Sequence, residues 1–266
     1  MLSSNDRDGR ARAAAALASR LRTAGCVFAE DEAAILLDAA GDDVQLEALV
    51  RRRETGEPLE QLVGWVDFGG LRLSTGTGVF VPRQRTLLLA RAALRVLRTQ
   101  REPVLLELFC GVAPIAATVA RALPEAELHV ADIDPAALVH AARNLPASAG
   151  LHLGEGFAAL PAALRGSVTL IACVPPYVPA REAHLLPHDA LSFEPERALL
   201  GGEDGLEHIR ALVDAAGRWL APQGRVLVEL NRGQYSSAAA HARRLGYRTA
   251  RHAGADGQTV LLGIRR

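Results

Sequence analysis

Residues 104–135, VLLELFCGVAPIAATVARALPEAELHVADIDP, decide the fold because they hold a strand, a turn, a helix and a second strand. The mostly apolar residues 104–108 predict a buried strand, and apolar residues at helical spacing follow over residues 115–122. A second strand is predicted at residues 127–131. Strands that alternate with helices pair in parallel, with the connecting helices on the faces of the sheet.

The same alternation continues on both sides of this stretch. It predicts, beside the unit just described, helix 86–98, helix 135–144, strand 151–153, strand 168–173, helix 206–220, strand 225–230, helix 234–245 and a strand pair at 247–252 and 259–264. The fold class is therefore predicted as α/β, with a doubly wound, Rossmann-like sheet of seven mostly parallel strands. Ligands of such sheets bind at the carboxyl ends of the strands.

The first part of the chain has a different character. Apolar residues at helical spacing predict helices at residues 10–22, 30–40 and 44–53. Glycines then separate short apolar runs at residues 71–73 and 79–81, a pattern typical of a β-hairpin. The predicted units are a small helical domain at residues 1–55, a β-hairpin linker at 56–82 and the α/β domain at 83–266.

Composition limits the classes of function. The 266 residues include 30 basic and 30 acidic ones, and a net charge of zero argues against nucleic-acid binding driven by counterion release. No apolar run reaches the roughly 18 residues that a membrane span needs, and the opening MLSSNDRDGR lacks the order of a secretory signal, so a cytoplasmic protein is predicted. Cys26, Cys110 and Cys173 are far apart, and we predict no metal site.

The first strand of the α/β domain ends in a tight turn that contains a glycine. Such a turn lets a ligand approach the backbone and places a helix N-terminus beside it. A lone glycine turn is a weak signal, but acidic residues at the next strand ends strengthen it. The residues predicted to bind a cofactor here are Glu107, Phe109, Cys110, Gly111 and Ala113.

Acidic residues end the next two strands. Asp132 lies roughly twenty residues after the glycine turn. A carboxylate at this position typically binds both hydroxyls of a ribose. Asp134, which precedes Pro135, is instead predicted to cap the next helix. After the third strand, a carboxylate is available for an adenine amino group, and an aromatic ring for an apolar wall. Because the phosphate-binding pattern G-x-G-x-x-G is absent, the predicted cofactor is a nucleoside without phosphates, S-adenosylmethionine. The cofactor residues predicted at these two ends are Asp132, Ile133, Glu155, Gly156 and Phe157.

The fourth strand runs directly into Val174, Pro175, Pro176 and Tyr177. Two consecutive prolines fix the backbone and remove two N–H donors, so that the carbonyl groups become rigidly aimed acceptors. The ring of Tyr177 offers a flat face for a planar amide or base. Because this strand lies beside the first one, these four residues are the predicted catalytic positions, next to the methyl group of the cofactor.

With this segment the order of motifs resembles a known family, the HemK/PrmC-type protein-(glutamine-N5) methyltransferases. The family carries Asn-Pro-Pro-Tyr where this chain has Val174 to Tyr177. Arg85 stands where the well-studied members have an acid, a feature more similar to an actinobacterial branch. Further stretches similar to the family are residues 56–59 with Gly64, 78–83, 193–195 with 198–199, Gly205, and 246–247.

The resemblance covers roughly residues 56–264 and implies a fold, a cofactor and a substrate. The fold would be that of class I methyltransferases, and the cofactor S-adenosylmethionine. The methyl acceptor would be the glutamine in the Gly-Gly-Gln loop of a peptide release factor, recognised with the help of the N-terminal helices. The asparagine oxygen and a proline carbonyl each accept one N–H of the target amide. The expected partner is a release factor, with nucleic acid involved only through the ribosome and no membrane.

Val174 leaves alternatives open, because its side chain accepts no hydrogen bond. One alternative keeps the methyl donor and changes the acceptor to a small molecule of specialised metabolism. Another is a non-catalytic homologue that keeps the fold and binds the cofactor. A Pro-Pro-Tyr segment also suits amino groups of nucleic-acid bases, but the zero net charge argues against that substrate.

Overall fold

The computed structural model describes residues 4–265, and its first part is a group of helices. These are α1 (Ser4–Thr23), α2 (Ala29–Ala39) and α3 (Asp43–Glu54). The bounds of α2 and α3 are close to the predicted ones, whereas α1 begins earlier than the predicted residue 10. They pack around fully buried side chains such as Leu21 and Leu36. A short helix that the sequence did not predict, α4 (Leu59–Val63), follows and ends at Gly64, whose φ of 78° is left-handed.

A two-stranded antiparallel hairpin follows, formed by β1 (Trp65–Phe68) and β2 (Leu71–Ser74). The predicted hairpin is therefore present, but the run at residues 79–81 is not one of its strands, and this part of the prediction was wrong. The reason is that side chains, and not a partner strand, form hydrogen bonds with the backbone groups of residues 79–81. Gln61 Nε2 donates to the Val79 carbonyl at 2.9 Å, and the Val81 N–H donates to Glu194 Oε1 at 3.1 Å.

The remaining chain builds a seven-stranded sheet in the order β5-β4-β3-β6-β7-β9-β8. Neighbours from β5 to β7 are parallel, whereas β9 runs antiparallel to both β7 and β8. The chain winds outward in two directions from β3, which places a ligand-binding crevice at the carboxyl ends of β3 and β6. The strands are β3 (Val104–Leu108), β4 (Glu127–Asp132), β5 (Gly150–Leu153), β6 (Val168–Cys173), β7 (Leu220–Asn231), β8 (Arg248–Ala253) and β9 (Thr259–Arg265).

Helices cover both faces of this sheet. On β6, Leu170 and Ala172 pack with one group of helices, and Ile171 and Cys173 pack with the other. Strands buried on both faces in this way define a doubly wound sheet, so the predicted fold class is confirmed. The first group of helices is α5 (Leu87–Leu97), α6 (Pro114–Ala122) and α7 (Pro135–Asn144); α8 (His188–Phe193) lies in the connection after β6, and α9 (Glu207–Ala216) and α10 (Tyr235–Arg244) form the second group.

One predicted helix was too long. The prediction for residues 206–220 included Leu220, but α9 ends at Ala216 and Leu220 begins β7. Leu220 pairs with Val168 of β6 and is buried, so the pairing of the sheet prevails over the apolar helical pattern.

Other features of the described residues concern cysteines and membranes. Cys26, Cys110 and Cys173 are buried free thiols. Burial raises the pKa of the Cys110 and Cys173 thiols well above the usual range, which disfavours the reactive thiolate. Among residues 4–265, no helix has the length and apolar character that a membrane crossing requires.

Candidate active site

A cavity of about 330 Å³ opens at the carboxyl ends of β3, β4, β6 and β7. This volume is within the usual range for small-molecule sites. The structure brings together there the predicted residues Glu107, Phe109, Cys110, Gly111, Asp132, Ile133, Val174, Pro175, Pro176 and Tyr177. The lining residues that sequence reasoning missed include Phe80, Arg83, Arg85, Leu186, Arg197 and Glu229. Ala113, Glu155, Gly156 and Phe157 are not part of the lining.

The turn after β3 has an unusual backbone. Phe109, Gly111 and Ala113 have φ values of 53°, 53° and 61°, in the left-handed region. This conformation costs a non-glycine residue about 1 kcal/mol, and such strain is concentrated at functional sites. The turn is closed by a 2.7 Å hydrogen bond from the Ala113 N–H to the Cys110 carbonyl. It directs the N-terminus of α6 toward the cavity edge, as the glycine turn predicted.

Glu107 is a buried carboxyl group beneath this turn. It accepts hydrogen bonds from the backbone N–H groups of Ala116 at 2.6 Å and Ile115 at 3.3 Å, in the first turn of α6. Burial nevertheless raises the pKa of Glu107 from 4.5 to about 8, because desolvation of the charged form outweighs these bonds. The carboxyl group is therefore largely protonated at neutral pH, and a cationic ligand in the cavity would favour its ionisation.

The raised pKa of Glu107 predicts a pH dependence of stability. The folded state holds this proton more tightly than the unfolded chain, so its contribution is complete below pH 4.5 and is lost as the pH rises toward about 8. Relative to Glu107→Gln, the wild-type free energy of unfolding should fall by up to about 1.4 kcal/mol per pH unit in that window. Urea unfolding of both proteins across the window measures this. Parallel pH profiles would contradict it.

Asp132, at the end of β4, connects two strand ends. Its carboxylate accepts from the Gly111 N–H at 2.7 Å and from the Asp134 N–H at 2.9 Å. Burial raises the pKa of Asp132, while these backbone bonds oppose the rise. A carboxylate offers about four acceptor positions, so it can still accept from ligand hydroxyls on the cavity side. Asp134 accepts from the Ala136 N–H at 2.9 Å, which confirms the predicted helix cap.

The end of β5 is arranged differently from the other strand ends. The ring of Phe157 stacks on Trp219, with centroids 5.6 Å apart and planes 11° apart, and it packs against the core beneath α9. This contact accounts for its place outside the cavity lining. Adenine contacts of Glu155, Gly156 and Phe157 stay a prediction.

The Pro-Pro-Tyr segment is held firmly by its neighbours. The Tyr177 carbonyl accepts from Gln234 Nε2 at 2.7 Å, and the next residue, Val178, exchanges backbone hydrogen bonds with Leu199 and Gly201 at 3.0 and 2.9 Å. The carbonyl groups of Pro175 and Pro176 accept no hydrogen bond from any described residue. Both prolines line the cavity, but the Pro176 carbonyl oxygen lies against Gly201, so the Pro175 carbonyl is the backbone acceptor that remains for a ligand.

An ionic cluster lies behind Tyr177. Arg85 Nη2 donates to Tyr177 Oη at 2.9 Å, and Arg85 Nε is 3.5 Å from Glu229 Oε1. Burial raises the pKa of Tyr177, and the positive charge of Arg85 opposes that rise. The only sequence signal for Glu229 was a lone acid in the apolar run of β7, and nothing there indicated its partner.

Two stretches singled out in the sequence meet at the cavity wall. Arg83 Nη2 donates to Glu194 Oε2 at 2.6 Å, which connects residues 78–83 to residues 193–195. Burial raises the pKa of Glu194, and Arg83 opposes the rise. The described residues contain no group of three His, Cys, Asp or Glu side chains placed to hold a metal ion. The cavity is thus a site for an organic ligand with a carboxylate on one side and a backbone acceptor on the other.

This fold and this arrangement of strand ends are those of class I methyltransferases. A methyltransferase from Pyrococcus furiosus shares the fold, with a TM-score of 0.53 and 17% identity over 82% of this chain and 96% of that one. A ribosomal protein L11 methylase from Lactobacillus delbrueckii subsp. bulgaricus also shares the fold, with a TM-score of 0.52 and 15% identity over 73% of this chain and 83% of that one. No protein-family model matches the chain.

Curated relatives give the family. A release factor glutamine methyltransferase from Streptomyces coelicolor is 37% identical over 190 residues, 70% of this chain and 67% of that protein. One from Deinococcus radiodurans is 35% identical over 198 residues, 74% and 70% of the two chains. The chain belongs to the family of HemK/PrmC release factor glutamine methyltransferases. It is also 37% identical, over 74% of its length and 69% of the relative, to a 4-amino-L-phenylalanine/4-methylamino-L-phenylalanine methyltransferase from Streptomyces pristinaespiralis.

Proposed function

We propose that this protein transfers a methyl group from S-adenosylmethionine to the side-chain nitrogen of a glutamine in a peptide release factor. The observation that carries the proposal is the Pro175 carbonyl at the cavity, which accepts no hydrogen bond within the described residues. A free carbonyl suits a methyl-accepting nitrogen that carries N–H groups. The names of the relatives, release factor glutamine methyltransferases, support the same substrate.

The residues of the cavity fit the cofactor. The free acceptor positions of Asp132 suit the two ribose hydroxyls, and the left-handed turn at Phe109 and Gly111 lets a ligand lie against the backbone. The buried Glu107 can ionise beside a positively charged ligand. When bound, S-adenosylmethionine supplies an electrophilic methyl group on a positively charged sulfur, which leaves as a neutral thioether.

The protein contributes to the reaction mainly by positioning the methyl acceptor and by excluding water from the cavity. The Pro175 carbonyl accepts one N–H of the acceptor nitrogen, which turns the nitrogen lone pair toward the methyl carbon. The flat ring of Tyr177 lies against the amide plane. Transfer breaks the S–C bond of the cofactor and forms the N–C bond, and the nitrogen then loses one N–H proton to solvent water. Because the sulfonium is already a good leaving group, little acid or base catalysis is needed, and orientation supplies most of the rate.

Methylation of a release factor tests the proposal. The purified protein, S-adenosylmethionine and a bacterial release factor are incubated, and the digested factor is analysed by mass spectrometry. The expected result is the added mass of one methyl group on the glutamine of the Gly-Gly-Gln loop. A factor with alanine in place of that glutamine is the control. An unmodified factor, after incubation with protein shown to bind the cofactor, would refute this acceptor.

The helical region at residues 1–55 is proposed as the recognition domain for the release factor, in the cytoplasmic protein that the sequence predicts. It carries exposed apolar side chains at Val27, Phe28 and Val44, which are 84%, 68% and 81% exposed. Exposed apolar residues that form a patch mark protein-binding surfaces, and Val27 and Phe28 are adjacent in the chain. Aromatic side chains carry much of the binding energy in interfaces, so Phe28 is the residue to test.

Phe28→Ser should raise KM for the release factor by about 10-fold, because an aromatic anchor contributes more than about 1 kcal/mol to such interfaces. The kcat value and the affinity for S-adenosylmethionine should stay unchanged, since Phe28 lies outside the cavity lining. Steady-state kinetics measures both. Leu245→Ser is the matched control, because Leu245 is an exposed apolar residue beside α10. Equal KM values for the two variants would contradict this role.

A small amine is the second candidate acceptor. Val174 gives the cavity an apolar wall, and one relative is named for methylation of an aromatic amino acid. Incubation with 4-amino-L-phenylalanine in place of the release factor separates the two acceptors. A product in this assay alone would favour the small molecule. Cofactor binding without methylation of either acceptor would favour the non-catalytic alternative.

A further inference from the structure

Glu229 is a buried carboxyl group with an unusual lack of partners. The residue has a relative exposure of 0%, yet it belongs to the lining of the active-site cavity. Neither of its carboxyl oxygens meets the geometry of a hydrogen bond with a described residue, although the Thr86 hydroxyl and the Arg85 guanidinium lie close enough to lower its pKa. Its ion-pair contact is with Arg85, at 3.5 Å. A buried charge without hydrogen bonds is costly, and native proteins keep few of them outside functional sites.

The position of Glu229 in the sheet places it beside Val174. The parallel register of β6 and β7 pairs Cys173 with Val228. The next residues along the two strands, Val174 and Glu229, are therefore neighbours at the carboxyl end of the sheet, with their side chains on the same face. Consistent with this, Val174 and Leu227, two residues before Glu229, pack in the same apolar cluster.

The groups around Glu229 come from several elements. Burial raises the pKa of Glu229, while the Thr86 hydroxyl and the Arg85 guanidinium oppose the rise. Arg85 is shared, because it also donates to the Tyr177 hydroxyl, and 43% of its side chain is exposed. The charged and titratable groups that influence Glu229 are Arg85, Cys173, Tyr177 and Asp256.

We propose that the Glu229 carboxylate accepts one N–H of the methyl-acceptor nitrogen, at the place where Val174 offers no acceptor. The Pro175 carbonyl then accepts the second N–H, and the two bonds fix the direction of the nitrogen lone pair. This inference rests on the proposed function and adds a residue to it. The chemistry that Glu229 recognises is a nitrogen with N–H donors, which a glutamine amide and an aromatic amine share.

Substrate binding without turnover is the direct test. The tripeptide Gly-Gly-Gln amide and, separately, 4-amino-L-phenylalanine are titrated into protein saturated with S-adenosylhomocysteine. Glu229→Leu should weaken binding of whichever probe the wild type binds by about 10-fold or more, the loss typical of a hydrogen bond to a charged group. The probe that binds identifies the source of the N–H. Unchanged affinity would overturn the inference, as would failure of the wild type to bind either probe.

A rescue experiment separates recognition from a structural role. If Glu229 acts as the missing acceptor, Val174→Asn should restore about 10-fold of the binding that Glu229→Leu loses, because the asparagine oxygen offers an acceptor from the neighbouring strand position. If Glu229 only holds Arg85, the second substitution restores nothing. Arg85→Gln, which keeps the carboxylate, should lose less probe affinity than Glu229→Leu. Equal losses would assign the effect to the ion pair and overturn the inference.

If Glu229→Leu fails to fold, its probe affinity cannot be compared with that of the wild type, so a milder variant is included. Glu229→Gln preserves the shape of the side chain and one oxygen acceptor but removes the charge. It should show a smaller loss than Glu229→Leu, with the same melting temperature as the wild type. Methylation itself separates the two claims. A wild type that binds a probe through Glu229 but methylates nothing would refute the proposed function and leave the inference supported.

Discussion

Asp132→Ala should weaken the binding of S-adenosylmethionine by about 100-fold, because two hydrogen bonds to a charged acceptor contribute roughly 3 kcal/mol. The substitution removes the proposed acceptor for the ribose hydroxyls. It also releases the Gly111 N–H, which donates to Asp132 at 2.7 Å and helps to hold the turn after β3. Equilibrium dialysis with labelled S-adenosylmethionine measures the change.

The matched control is Asp67→Ala. Asp67 also accepts from a glycine N–H in a turn, that of Gly70 at 3.3 Å, but it lies in the β1–β2 hairpin and outside the cavity lining. Its loss should leave the dissociation constant within about 2-fold of the wild type. An Asp132→Ala protein that binds the cofactor as tightly as this control would show that the ribose lies elsewhere.

Gly205→Ala is expected to lower kcat/KM for methyl transfer by about 100-fold or more, the scale for a small misplacement of reacting groups. A Cβ atom on Gly205 would overlap the Tyr177 carbonyl oxygen and the Gln234 side-chain nitrogen. These two atoms form the 2.7 Å hydrogen bond that holds the Pro-Pro-Tyr segment. The segment must therefore shift, and its carbonyl groups shift with it. Steady-state methylation assays measure the loss.

Gly257→Ala is the control for backbone strain. Gly205 and Gly257 have φ values of 74° and 69°, so alanine pays a similar conformational cost of about 1 kcal/mol at either position. A Cβ atom on Gly257 meets no atom within 4 Å. Both variants should lose stability, but only Gly205→Ala should lose activity. Equal activities would show that the position of the Pro-Pro-Tyr segment does not limit the reaction.

Much of the sheet could be predicted from the sequence. The strands at residues 104–108 and 168–173 have the predicted bounds, because each is an apolar run buried on both faces. The prediction failed where contacts between residues distant in sequence determine the local structure. Residues 79–81 look like a strand, but Gln61 and Glu194 satisfy their backbone in place of a partner strand.

In the active site, too, some residues could be placed from the sequence and others could not. Asp132 and the Pro-Pro-Tyr segment could be placed from the order of strands, because parallel strands bring their carboxyl ends to one edge. The cluster of Arg85, Tyr177 and Glu229 could not, since residues 85 and 177 are 92 positions apart and no local pattern connects them. A lone acid in an apolar strand is the signal that, in retrospect, marks Glu229.

Every proposed step requires S-adenosylmethionine in the cavity between Asp132 and the Pro-Pro-Tyr segment, so its binding to the wild-type protein is the decisive measurement. Equilibrium dialysis with S-adenosylmethionine carrying a labelled methyl group, with and without excess S-adenosylhomocysteine, gives the affinity and the number of sites. We expect one site per chain, a dissociation constant on the order of micromolar and displacement by S-adenosylhomocysteine. Protein that is folded but retains no label would contradict it.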